Sequence, residues 1–122
     1  MTSMNGVSDN SILARLKELE DETDYEFVVE LIDIYLIETP KQIASIAAAI
    51  NARNSSALTI AAHTLKGSSL NLGAKTLGAL CLKLEELGRS NLPITANTST
   101  KAVEDEFQNV TVELTNFKKN KN

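Results

Sequence analysis

The stretch Ala57-Leu58-Thr59-Ile60-Ala61-Ala62-His63-Thr64-Leu65-Lys66-Gly67-Ser68-Ser69-Leu70-Asn71-Leu72 decides how this chain is read. Placed at about 100° per residue, as helical periodicity requires, it separates into two faces. Leu58, Ala61, Ala62, Leu65, Ser69 and Leu72 gather in a small, apolar stripe of the kind a helix buries in a bundle. His63 and Gly67 fall on the opposite side with Ile60, Leu70 and, at the margin, Lys66. An outward face carrying two large aliphatic side chains is a candidate docking surface.

His63 is the only histidine, and Lys66 and Gly67 follow it one turn later as surface neighbours. A bland reading makes Ile60 and Leu70 extra core and His63 a half-buried filler. Gly67 argues for more. Glycine inside a helix costs about 1 kcal/mol relative to alanine. Carrying that cost beside the single histidine implies close approach by another molecule.

Working outward, Leu72-Gly73 permits the left-handed turn that ends a helix. The next helix, residues 74–89, must return antiparallel because the connection is short. Counting equal distances from the turn levels His63 with Leu82, Lys66 with Ala79 and Gly67 with Gly78. Leu77, Leu80, Cys81, Leu84 and Leu87 form the buried stripe of this helix, so Cys81, the single cysteine, reads as core. Cys81 and His63 are too few ligands for a metal site. Gly78, Leu82, Glu85 and Arg89 form a second stripe. Glu85 and Arg89 are then either rim residues of the histidine surface or an ordinary solvated face.

Upstream, residues 8–20 read as a short amphipathic helix with Ile12, Leu13, Leu16 and Leu19 inward and Ser8 or Asp9 as cap, closed by the acidic break Glu20-Asp21-Glu22. Thr23-Asp24-Tyr25-Glu26 has the form of a capping box, opening a helix whose apolar face is Phe27, Val28, Leu31, Ile32, Ile34 and Tyr35. Proline can open a helix or kink one that continues. We favour one helix over residues 24–52, bent near Pro40 and continued by Ile43, Ile46, Ala47 and Ile50; the alternative is two helices meeting at Thr39. Ser55 or Ser56 caps the histidine helix. Residues 91–100, with Pro93, read as a loop. Val103, Phe107, Val110, Leu114 and Phe117 mark a last helix over residues 101–118.

The expected fold is all-α: an antiparallel up-down four-helix bundle with an additional short N-terminal helix. One domain spans the 122 residues, with 1–7 and 119–122 as frayed tails. A net charge of −4, with no basic stripe interleaved with aromatics, excludes a nucleic-acid binder. No apolar run is long enough for a membrane span and no leader pattern opens the chain, so no membrane partner, a cytoplasmic location and a monomer are expected.

The string His63-Thr64-Leu65-Lys66-Gly67-Ser68-Ser69, followed by Asn71-Leu72-Gly73-Ala74 and later by Cys81, Leu84-Glu85 and Gly88-Arg89, resembles the histidine-containing phosphotransfer (HPt) domain. The resemblance covers nearly the whole chain from about Asp24. It implies a helical bundle whose exposed histidine relays phosphoryl groups between response-regulator receiver domains downstream of a hybrid histidine kinase. His63 would attack through Nε2, Lys66 would stabilise the phosphoryl charge of about −2, and Gly67 would admit the partner's active-site loop. Ile60, Leu70 and Leu82 would be the apolar footing, with Thr64, Ser68, Glu85 and Arg89 completing the partner-binding set. At Glu85 many family members carry glutamine; a carboxylate there either repels the phosphoryl group or points to solvent.

The chain has no Gly-x-x-x-x-Gly-Lys loop and no carboxylate cluster organised around the histidine, so phosphorylation from ATP is not expected. No cofactor is expected on this chain; magnesium would come with the receiver domain. A degenerate HPt module that binds the same partners without chemistry is the alternative. A hydrolase using His63 as general base lacks a nucleophile–base–carboxylate set.

Overall fold

The computed structural model describes residues 11–90, 93–95 and 98–119. Every regular element among them is a helix: α1 Ser11–Glu22, α2 Tyr25–Asn51, α3 Ser55–Asn71, α4 Lys75–Arg89 and α5 Lys101–Lys119. Helices α2 to α5 pack each against the next, and α5 closes back on α2. With three-residue connections at 52–54 and 72–74, this is an up-down bundle, and α1 lies as an extra helix against α2 and α5. None of the described helices is long and apolar enough to cross a membrane.

The core is aliphatic. Val28, Ile32, Ile46 and Ile50 of α2 meet Leu58 and Leu65 of α3, Leu77 and Cys81 of α4, and Val110 and Leu114 of α5. Ala62, Ser69 and Leu72 are buried as their stripe requires, and Ala61 half-buried. Periodicity overcounts elsewhere: Leu13, Phe27 and Ile34, expected inward, are exposed. Each lies at the edge of an apolar face wider than its neighbours cover.

Helix α2 runs unbroken through Pro40, which lies on its exposed side. The missing N–H of the proline leaves only the Leu36 carbonyl without its usual donor. The helix starts differently from the capping-box expectation. α1 continues through Asp21 and Glu22, and the Thr23 hydroxyl donates to the Leu19 carbonyl at 2.6 Å. Asp24 therefore caps α2, accepting from the Phe27 N–H at 2.8 Å. Likewise Asn54, not Ser55 or Ser56, caps α3 by accepting from Ala57 N–H at 3.0 Å. Arg53, at φ 55°, turns the chain there, so both serines are already helical. α5 extends through Lys119, one residue beyond the expected end. The proposed cap at Ser8 or Asp9 and the tails at 1–7 and 120–122 lie outside the described residues.

The α3–α4 turn is a Schellman motif: Gly73 at φ 81° donates to Leu70 O at 3.0 Å, and Ala74 donates to Ser69 O at 2.9 Å. α1 latches onto this turn, with the Ser11 hydroxyl donating to Gly73 O at 2.6 Å and Arg15 Nε to Asn71 O at 2.9 Å.

One polar contact crosses the core beneath the exposed face of α3. Tyr35 Oη and Ser69 Oγ lie 2.8 Å apart, and burial is the main cause that pushes the phenol up to about 12. Tyr35→Phe strands a buried hydroxyl and is expected to cost about 1 kcal/mol in urea unfolding. No change in midpoint would mean that Ser69 finds another partner.

Candidate functional site

The exposed face of α3 is centred on His63, whose side chain is 62% exposed. Ile60 is 67% exposed, and a Cβ built on Gly67 meets nothing within 4 Å. On the α2 side, Thr64 lines a groove with Gln42 and Ser45, and Ser68 lines a second groove with Ile34 and Glu38. Both hydroxyls are turned to their own backbone, Thr64 donating to Ile60 O at 2.9 Å and Ser68 to Leu65 O at 3.2 Å. On the α4 side stand Lys66, half-buried, and Leu70, 46% exposed.

The register between α3 and α4 differs from equal counting about the turn. Gly78 faces Leu70 rather than Gly67: a Cβ on Gly78 would stand 2.5 Å from Leu70 Cδ2. His63 and Lys66 both reach Glu85, not Leu82 and Ala79. Leu82 remains exposed, one turn before Glu85.

Glu85 lies neither on the rim nor in solvent. It has no exposed surface, and it is buried beneath the histidine face. Its Oε2 accepts from His63 Nδ1 at 3.0 Å and pairs with Arg89 Nη2 at 2.6 Å, while Lys66 Nζ lies 2.8 Å from Oε1. The Lys66 ammonium is the main cause holding this carboxyl below the usual range. Burial opposes it, while His63 and Arg89 add to it. Glu85 is thus an anion at neutral pH, and a carboxylate anion only accepts. The neutral His63 ring therefore carries its proton on Nδ1 and leaves the Nε2 lone pair free. Such an arrangement can make and break a bond at Nε2.

Two features escaped the sequence. The inward position of Glu85 follows from its i−4 and i+3 neighbours: Cys81 and Gly88 are both buried, and Glu85 continues their line. Ile34, placed by its pattern in the core, instead is exposed and borders the groove next to Ser68. Cys81 is buried as expected, and burial pushes its thiol up to about 12.

Over 80 residues the chain is 29% identical to multistep phosphorelay regulator 1 of Schizosaccharomyces pombe, covering 66% of this chain and 27% of that protein. Over 74 residues it is 32% identical to histidine-containing phosphotransfer protein 2 of Arabidopsis thaliana, covering 58% and 47%. The chain thus spans about a quarter and about half of these curated relatives. The crystal structure of histidine-containing phosphotransfer protein B (HptB) from Pseudomonas aeruginosa PAO1 superposes with a TM-score of 0.72 at 25% identity, covering 98% of this chain and 100% of that one. Residues 30–113, from the first half of α2 into α5, match the Hpt domain, and the chain belongs to that family.

Proposed function

We propose that the chain is a phosphorelay intermediate in which His63 takes a phosphoryl group from the phospho-aspartate of one receiver domain and passes it to another. The observation that carries this reading is an exposed imidazole whose Nδ1 is held by a buried carboxylate at 3.0 Å. Nε2 attacks phosphorus in line, the acyl phosphate P–O bond breaks, and the aspartate carboxylate is regenerated on the donor. The arriving charge of about −2 then competes with Glu85 for Lys66 and Arg89, the cations that pair with it. Magnesium at the phospho-aspartate belongs to the receiver. Catalysis on this side is positioning and charge stabilisation across a protein interface.

Ile60, Leu70 and Leu82, all exposed, supply the apolar footing for the receiver. Mixing the chain with a phosphorylated receiver domain tests the reading. Loss of label from the receiver with gain of acid-labile, base-stable phosphate on this chain supports it; stable binding without transfer would leave a non-catalytic interaction module instead.

Gly67 has a measurable part in this. Its surroundings are empty, so Gly67→Gln should stabilise the helix by up to about 1 kcal/mol. The new side chain stands one turn from His63, where the receiver's loop must enter. Transfer from the receiver is expected to slow about tenfold or more, a docking cost of roughly 1.4 kcal/mol. A variant that is stabilised and transfers at the wild-type rate would remove the steric role.

A further inference from the structure

Glu85 touches the ring nitrogen that does not take the phosphoryl group, so its effect persists after His63 is charged. Among the described residues, the ionisable groups facing the pair come from two helices. Lys66 approaches from α3 and Arg89 from α4, and Cys81, the other titratable group near Lys66, is a neutral buried thiol. A phosphoryl group of about −2 on Nε2, with Glu85 at −1 and the two cations at +2, sums to about −1. One ring proton neutralises that cluster. With glutamine at the same position the sum is already about zero, and a ring proton would leave it positive.

We propose that Glu85 is a positioning residue that keeps the Nδ1 proton on phosphorylated His63, so that the ring departs as neutral imidazole and the carrier is biased toward discharge. This rests on His63 being the phosphoryl site. In the discharge step the Nε2–P bond breaks with its electron pair returning to Nε2. A P–O bond forms to the acceptor's carboxylate, or to water, and the Nδ1 proton stays where Glu85 holds it. Without that proton the leaving group is the imidazolate anion, which is far poorer. An adjacent carboxylate favours the protonated ring by ordinary electrostatics, and the hydrogen bond adds to it.

The test loads the chain with phosphoramidate as a chemical phosphodonor, removes the donor, and follows loss of phosphate to water from about pH 5 to 9. Wild type and Glu85→Gln should both load. At neutral pH the variant is expected to discharge about tenfold more slowly, with the midpoint of its rate profile displaced about one pH unit downward. A merely structural role would not move that midpoint. Because the chain has a single histidine, ring 15N NMR of the phosphorylated wild type reads the proton without assignment, even if the variant folds poorly. Nδ1–H present at neutral pH in wild type is the expected result. Its absence, or superimposable discharge profiles for the two proteins, would overturn the role of Glu85 while leaving His63 as the site. Failure of wild type to load would overturn both.

Discussion

His63→Gln is expected to abolish phosphoryl uptake while leaving the bundle folded. There is no second histidine to take over, and a glutamine amide nitrogen has no free lone pair for attack on phosphorus. The substituted side chain is mostly in water and contributes nothing to the apolar core. Beneath it, Glu85 keeps its contacts with Lys66 and Arg89. Thermal unfolding should shift by no more than a few degrees, in keeping with about ±0.5 kcal/mol for surface substitutions. Labelled phosphate transferred from a phosphorylated receiver should fall below detection. Wild-type levels of label on the variant would place the phosphoryl group elsewhere.

Gly88→Ala is expected to weaken the fold and the site together. A Cβ at this position would collide with Thr59 Oγ1 and stand 2.8 Å from Thr59 N and 2.9 Å from Ser55 O. Two of these three are backbone atoms, which cannot swing aside as a side chain can. The Thr59 hydroxyl is itself engaged, donating to Ser55 O at 2.9 Å. Overpacking of this kind costs about 1 to 3 kcal/mol, whereas alanine gains at most about 1 kcal/mol in helix propensity. We expect a net loss of about 2 kcal/mol, or roughly 5 to 10 °C in melting temperature. Glu85 lies one turn before Gly88, so parting α3 from α4 also draws the carboxylate from His63 and slows transfer. The contrast with Gly67→Gln is informative because Gly67 faces open space whereas Gly88 is buried where α4 meets α3. An unchanged or raised melting temperature for Gly88→Ala would show that the crossing is looser than described.

Much of this fold was legible in the order of side chains. The buried stripe of α3, the Gly73 turn, the return of α4 and the passage of α2 through Pro40 are local consequences of periodicity and backbone chemistry. Boundaries were less legible. The Thr23-x-x-Glu26 pattern reads one residue early because α1 does not stop at its acidic end, and that depends on what α1 packs against. The capping of α3 by Asn54 depends in the same way on the chain reversal at Arg53.

The site divides along similar lines. The outward position of His63, Gly67, Ile60 and Leu70 follows from one helix alone. The burial of Glu85 does not. It requires the register between two helices, and equal counting from the turn errs by about a turn: His63 meets Glu85, not Leu82. That offset turns an apparent repulsive rim charge into the group that fixes the ring's tautomer. Ile34 was misplaced for a related reason, since an apolar residue on a long helix is buried only where a neighbour reaches it.

The most direct test of the whole account is a two-step transfer. Wild-type chain is loaded from one phosphorylated receiver domain, separated from it, and mixed with a second, unphosphorylated receiver. Label is expected on His63 after the first step, passing to the second receiver's aspartate far faster than it is lost to water. Label that never reaches His63, or that leaves it only as inorganic phosphate at a rate unaffected by the second receiver, would contradict it.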